Sequence, residues 1–233
     1  MDKAAGQPCV NLADDNRCRI HDNLRAQSFG GCVAFDCHGA GQRVSQDVFN
    51  GRDWRTDPAY AQEMFAVFRT VRRLHELAWH VEEARLLPTS SSILSWLTDA
   101  LTHLLEERDA AVLVAMDVDD IAGEVNQLLV QASELARAGL DGPNLRGADL
   151  AGRDLRTRRL RGASLRGAVL VGADLRGVDL SEADVTGADL RGADVRGTRF
   201  ERTLFLSQVQ LETARGDERT QLSGRHERPA HWR

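Results

Sequence analysis

The sequence has little of several things, and each shortage narrows what the 233-residue chain can be. Aromatic residues make up 5% of it, with a single tyrosine and seven phenylalanines, which argues against a conventional mixed core throughout. Long apolar runs are missing: the longest, AAVLVAM at Ala110 to Met116, is far too short to cross a bilayer. The opening MDKAAGQPCV has no apolar stretch of the kind a secretory leader needs, so the expected compartment is the cytoplasm. An excess of positive charge is lacking too. The balance is −5 with a pI near 5.8, which leaves no whole-chain basic footprint for nucleic acid. Catalytic signatures are also absent: there is no Ser-His-Asp order, no pair of catalytic carboxylates and no HExxH. His75 and His80 stand five residues apart on an expected helix, one too many for a zinc pair, and GAGQ at Gly39 to Gln42 lacks the register of a phosphate-binding loop and reads as a turn.

What is present is a period of five. From NLRGADLAGRDL at Asn144 onward, an apolar residue returns at Leu145, Leu150, Leu155, Leu160, Leu165, Leu170, Leu175, Leu180, Val185, Leu190, Val195 and Phe200. A helix repeats every 3.6 residues and a strand every 2.0, so neither keeps this set on one face. The chain must instead turn a corner every five residues and bury each unit against its neighbours, as a solenoid does. Two places before most of these residues stands a small one, as at Ala148, Ala163, Ala168, Ala173, Ala183, Ala188 and Ala193, with Val178 and Thr198 in the same register. A square coil of four pentapeptides per turn stacks the leucines inward, lets the small residues fill the narrower inward positions, and sends Asp, Ser and Arg outward. Arg153 and Arg158 break the small-residue rule within GRDLRTRRLRG, and a local distortion is expected there.

The units GADLRGADV and GADLRGVDL resemble the A-(D/N)-L-x-x pattern of pentapeptide-repeat proteins. That resemblance implies a right-handed quadrilateral β-helix, here of about three coils over residues 141–206. The family's best-known members protect DNA gyrase by imitating duplex DNA with a long acidic rod. Two features resist that transfer. Three coils span about 15 Å at sheet spacing, roughly half a turn of B-DNA. Residues 141–200 also hold nine acidic residues against eleven arginines, a net charge of +2, where a mimic needs a negative strip. The arginines, interleaved with Asp and without aromatics, read as a solvated mixed-charge face rather than an RNA site.

Between the N-terminal segment and the repeats, residues 57–139 read as a small helical bundle. Asp57-Pro58 is a helix start, and Phe65, Phe68, Val71, Leu74, Leu77, Ala78 and Val81 fit one face up to Pro88. TSSSILSWLTDALTHLLEE starts a second helix through Leu94, Leu97, Leu101, Leu104 and Leu105. A third runs from Val118 to Ala138 through Ile121, Val125, Leu128, Ala132 and Leu135, with Gly139 as its stop. Residues 207–233 read as a polar, poorly ordered tail.

All four cysteines lie in the first 55 residues, as Cys9, Cys18, Cys32 and Cys37, spaced C-x8-C-x13-C-x4-C. Two disulfides are disfavoured in a reducing cytoplasm. The alternatives are four buried core thiols or a metal site, since thiolates suit zinc or an iron–sulfur cluster and four are the usual complement. Cys9, Leu12, Cys18, Ile20, His21, Cys32, Phe35 and Cys37 are similar to the later half of the zinc- or iron-chelating cysteine-rich domains related to flagellin N-methylases. The resemblance implies Cys9, Cys18, Cys32 and Cys37 as metal ligands. The earlier half of that pattern has no counterpart in the eight residues before Cys9: either a longer chain supplies it, or half of the site has been lost. His21 is expected to pack or hydrogen-bond, and His38 to be a loop histidine or a ligand of a truncated site. Relatives of this architecture close on RPAHW, matched by Arg228 to Trp232.

The fold class expected is therefore mixed: a cysteine-rich module over 1–55, a helical region over 57–139, and a β-helix. The expected role is a non-catalytic interaction or scaffold protein with protein partners, without membrane or nucleic acid, and with zinc or an iron–sulfur cluster as the candidate cofactor. The other readings are gyrase protection by DNA mimicry, and a metal-dependent modifying enzyme with an incomplete iron–sulfur domain.

Overall fold

A computed structural model of the chain describes residues 6–13, 17–87 and 91–232, with the side chains of 91–96 left aside. Pro88 and the hydroxyls of Thr89 and Ser90, expected to stop one helix and cap the next, lie outside the described residues, as does the side chain of Leu94. Seven α-helices are described: α1 (Gly30–Val33), α2 (Ala40–Arg43), α3 (Ala61–Arg85), α4 (Ser91–Leu105), α5 (Ala110–Ala115), α6 (Val118–Ala136) and α7 (Gln208–Thr213). None is long and apolar enough to cross a membrane. The chain divides into two compact units, residues 1–82 with 92–128, and residues 83–91 with 129–233.

In the first unit, the expected Asp57-Pro58 start is a short 3-10 turn, Pro58–Tyr60, that leads directly into α3. Pro can sit there because the first N–H groups of a helix have no partner within it. Val71, Leu74, Leu77 and Val81 of the expected face of α3 are buried, and at its start Met64 and Val67 take the inward places while Phe65 and Phe68 are half-buried. Phe65 turns instead to Trp54, ring edge to face, with centroids 5.2 Å apart. AAVLVAM becomes α5, capped by Asp109, whose carboxylate accepts from the Ala111 and Val112 N–H groups at 2.8 and 3.3 Å. Leu113 is fully buried in one core with Ala40, Val44, Phe49, Met64, Val67, Val71 and Leu74. The stretch after Cys37 is thus part of the helical core and does not stand apart as a module.

In α6 the buried residues are Ala122, Val125, Leu129, Ala132 and Ser133, whereas Leu135 of the expected stripe is 45% exposed. A serine takes the inward place because it has a charged partner there, described below. Gly139, at φ +83°, follows the end of the helix in the left-handed region, as its placement predicts.

The second unit is the solenoid. Residue 144 pairs with 164, 164 with 184 and 184 with 204, so each coil takes twenty residues and four corners. The pairing between coils is a set of single parallel bridges rather than strands, because only one residue per side is extended before the next corner. Each bridge makes two hydrogen bonds: Asp174 N–H donates to Arg153 C=O, and Leu155 N–H to Asp174 C=O, both at 2.9 Å. Corners close with a turn bond such as Ala173 N–H to Leu170 C=O at 3.0 Å, and the residue before, Gly172, has φ +64°, where a side chain is costly. Inside, Leu165, Leu170, Leu175, Leu180, Val185, Leu190, Val195 and Phe200 are all buried, as are the small residues from Ala163 to Thr198. Thr198 is tolerated inward because its hydroxyl donates to Leu175 C=O in the preceding coil at 2.7 Å.

The expected distortion is present. Among the described residues, neither ladder hydrogen bond forms between the Arg158–Leu160 stretch and Asp179, although every flanking position has its pair. Arg158 is exposed at an inward position it cannot occupy, and Thr157, β-branched at a corner, does not adopt the left-handed φ of the corner glycines.

Residues 207–232 do not form the poorly ordered tail expected of their polarity. They complete a fourth turn and close the end of the solenoid. Ser207 and Gln210 form a reciprocal capping box at the start of α7. The Gln210 amide donates to Val185 and Ala188 C=O, both at 2.9 Å. Arg215 and Gln221 then pair with Asp194 and Arg199. Trp232 is 6% exposed; its indole donates to Ala214 C=O at 3.2 Å and lies over Gly216, where a Cβ would come within 2.3 Å of the ring. The physical reason is general to solenoids: the last repeat has an apolar end that something must cover.

Replacing Leu175, fully buried, by Ala is expected to cost about 2–5 kcal/mol through lost burial and a residual cavity. Replacing the neighbouring exposed Arg176 by Ala should shift the denaturation midpoint far less. Equal shifts in denaturation midpoint for the two variants would contradict the inward assignment.

Candidate functional site

The outward residues of the coils form charged ladders. In each Asp-x-Arg rung, the Asp carboxylate accepts the backbone N–H two residues on, fixing the corner, and also grips the arginine side chain. At Asp174 the Arg176 N–H lies 3.2 Å away, and the guanidinium donates from Nε at 2.8 Å and from Nη2 at 2.6 Å. This two-pronged grip needs a guanidinium, and Lys3 is the single lysine in the chain. The ladder also crosses coils: Arg156 reaches Asp174 at 3.4 Å and Arg176 reaches Asp194 at 3.7 Å. One face therefore reads Asp154, Arg156, Asp174, Arg176, Asp194, Arg196, with Asp217 and Arg219 paired at 2.7 Å beyond it. A shallow groove of about 530 Å³ runs between its four arginines. The hydrogen bonds from Arg156 hold the Asp154 carboxyl down to about 2, from 3.8, and those from Arg176, Arg191 and Arg196 hold Asp174, Asp189 and Asp194 below the usual range.

One rung departs from this pattern. Asp184 is followed by Thr186 rather than an arginine, and it is fully buried. Its carboxylate accepts from Ser133 of α6 at 2.5 Å, from Thr186 Oγ1 at 2.6 Å and from Arg166 Nη1 at 3.2 Å. Arg137, one turn after Ser133, donates to Ser133 Oγ and to Gly162 C=O, each at 3.2 Å. The end of α6 is thus fixed to the side of the coils by a buried charge whose partners are all polar; removing one partner of such a group is far more costly than an exposed pair would suggest. Sequence reading missed this site, although the exchange of Arg for Thr in EADVTG, among repeated Asp-x-Arg units, is its visible signal.

In the first unit a cleft of about 590 Å³ is lined by His38, Arg43, His75, Trp79 and Arg108, among others. His75 Nδ1 donates to His38 C=O at 2.7 Å, so its Nε2 accepts from Arg43 at 3.2 Å. Arg43 is further anchored on Glu107 C=O at 2.7 Å, and burial lowers its pKa. His38, expected as a loop histidine or a ligand, is half-buried at φ +49° with its N–H on Asp36. His75 is thus held at both ring nitrogens, while the His38 ring lies 6.4 Å from that of Trp79, centroid to centroid. His21 lies exposed in a 3-10 turn. GAGQ, expected as a plain turn, instead opens α2 through Gly39.

The four cysteines are free thiols. Cys18 sits in an antiparallel bridge with Leu12, and Cys9 accepts the Asn11 N–H at 3.4 Å. Cys32 is exposed on α1, and Cys37 is half-buried just before α2. Among the described residues, no three or more His, Cys, Asp or Glu side chains are gathered as a metal ion requires. As arranged, this donor set does not fit a tetrahedral thiolate centre.

Residues 159–197 match the family model described as Pentapeptide repeats, in eight copies. The solenoid is thus built of pentapeptide repeats. The chain is 42% identical over 151 residues to the Uncharacterized protein YybG of Bacillus subtilis (strain 168), an alignment covering 62% of this chain and 53% of that protein. The chain therefore spans about half the length of this curated relative. A solved pentapeptide repeat protein from the thylakoid lumen of Arabidopsis thaliana is 31% identical over 39% of this chain and 57% of its own, at a TM-score of 0.28. HetL, described as involved in heterocyst differentiation regulation in Nostoc sp. strain PCC 7120, is 29% identical over 32% of this chain and 42% of its own, at a TM-score of 0.21.

The ladder makes a pH prediction. A carboxyl held low in the folded state stabilises it above the unfolded value of 3.8, and the contribution is lost as pH falls toward about 2. Melting temperature should hold steady down to about pH 5 and fall between pH 4 and 2, with a smaller drop at about 1 M salt, where exposed pairs are screened. A triple variant, R156Q/R176Q/R196Q, should show a shallower acid loss. An unchanged slope would dissociate the ladder from acid stability.

Proposed function

We propose that this chain acts without catalysis, as a rigid solenoid that presents ordered charged ladders to a protein partner. The observation that carries this reading is the ladder itself: side chains held at fixed spacing by two-pronged Asp–Arg pairs, over a core whose inward positions from Leu160 to Phe200 are all buried. Immobilising long side chains before binding lowers the entropy that association must overcome. Four free thiols suit a reducing compartment, and we place the protein in the cytoplasm.

The alternation of signs weighs against DNA mimicry. A mimic presents one sign along its length, whereas each carboxylate of this ladder is covered by an arginine. The expected outcome of a gyrase supercoiling titration is therefore no inhibition and no protection from gyrase poisons. Either effect, at concentrations where a mimic competes, would favour the mimic over the interaction reading.

The cysteines enter this proposal as a candidate metal site outside the proposed working surface, with Cys9, Cys18, Cys32 and Cys37 as the ligands the resemblance implies. Because the thiols are not gathered, elemental analysis of protein purified without oxygen should find substoichiometric zinc or iron. Stoichiometric metal that is lost on Cys18→Ser or Cys37→Ser would overturn this and make the segment a metal domain.

A further inference from the structure

The two ends of the solenoid differ in kind. At the far end, α7 and Trp232 cover the last coil. The first coil is treated otherwise. In each later coil the bridging residue directs both its N–H and its C=O at the coil before it, as Asp174 does to Arg153 and Leu155. By the same geometry, Asp149, Asp154 and Arg159 of the first coil direct theirs outward, and among the described residues nothing meets them. All three residues are exposed, and Leu150 beside them is only half-buried. This is an open β edge.

The same end carries a concentration of charge. Residues 151–161 hold five arginines and one Asp. Arg156 and Arg161 are paired, but Arg153, Arg158 and Arg159 carry no ion pair among the described residues. In the following coils Arg166, Arg176, Arg191, Arg196, Arg199 and Arg202 are all paired. Moreover, Arg153 and Arg158 stand where the repeat has its small inward residue, so a further coil would stack directly against them.

Building on the interaction reading above, we infer that this edge docks an acidic, glycine-containing segment of another protein. That segment winds on as one more coil and sets carboxylates against Arg153 and Arg158. A second copy of this chain is the wrong occupant. Head to head it would oppose arginines with arginines, and head to tail it would meet the covered end. Nucleic acid also fits poorly: the edge offers C=O acceptors that phosphates cannot use, and residues 141–163 contain no aromatic side chain for stacking. An extended polypeptide uses both the N–H and the C=O groups.

The test uses the full chain and three labelled probes in a fluorescence anisotropy titration. One is a synthetic peptide of four pentapeptides with Glu at the two positions that would meet Arg153 and Arg158. The second has Ala at those positions, and the third is a single-stranded DNA 20-mer. The Glu peptide should bind, weaken with salt, and lose about tenfold or more in affinity to R153E/R158E. It should also slow hydrogen exchange at the Asp149, Asp154 and Arg159 amides. The substituted side chains are exposed, so the melting temperature of R153E/R158E should be unchanged, and that variant then reports on docking. No binding of the Glu peptide, equal binding to R153E/R158E, or preferential binding of the DNA would overturn the inference. If the peptide is instead lost on R176E/R196E while R153E/R158E retains it, the edge fails but the protein-interaction reading stands. Gyrase inhibition would remove that reading independently.

Discussion

The parallel hydrogen-bond ladder between coils is the constraint on which the rest of the second unit depends. Each side of a coil contributes one extended residue, and that residue must find its partners twenty positions away. Every bridge from Asn144 to Leu204 keeps that spacing, while in the closing turn Arg215 and Gln221 meet Asp194 and Arg199 across 21 and 22 positions and still pair. The ladder also fixes the side chains. The residues flanking the bridge turn inward and stack leucine on leucine, while the bridging residue turns outward and becomes a rung of Asp, Ser or Arg. The interior and the charged exterior are therefore two results of one backbone pattern. Where that pattern fails, at Arg158–Leu160, an arginine at a small-residue position coincides with Thr157 at the corner before it; Arg153, at the equivalent position one corner earlier and preceded by Gly152, keeps both ladder bonds.

Much of this was legible in the sequence, and the physical reason is locality. A five-residue period is a repeating local instruction, so the inward leucines and alanines could be assigned without knowing what they contact. The helices were legible in existence and in most of their buried faces, but not in every inward residue. At the start of α3, Met64 and Val67 take the inward places and Phe65 meets the Trp54 ring, a contact that no periodicity reveals. Leu135 is exposed and Ser133 buried for the same kind of reason, since a distant carboxylate decides which side of α6 faces inward. Polarity misled the reading of residues 207–232. Their polar side chains are consumed in capping, by Ser207, Gln210, Arg228 and the Trp232 indole, and a polar composition does not distinguish a cap from a tail. The cysteines were the least legible element, because spacing alone does not say whether sulfurs converge.

The ladder and the buried Asp184 cluster show the same chemistry under different solvation. On the open face an Asp–Arg pair is screened and replaceable, and its value lies in holding the side chains still. Around Asp184 the carboxylate has no water to fall back on, so Ser133, Thr186 and Arg166 must all remain in place. That rung accordingly ties the end of α6 to a particular coil and could not serve at a neighbouring one, where Ser164 and Leu204 stand at the same place and supply no carboxylate.

The closing segment has a consequence in time as well as in space. Residues 207–232 follow every repeat, so the cover is synthesised after the coils it covers. Each coil contacts only its neighbours, which allows the stack to form in order as the chain emerges. Its growing end nevertheless stays apolar and bare until Trp232 is available. At typical elongation rates of about 5–20 residues per second, that interval lasts on the order of seconds. During it the nascent stack presents the surface that the finished protein hides.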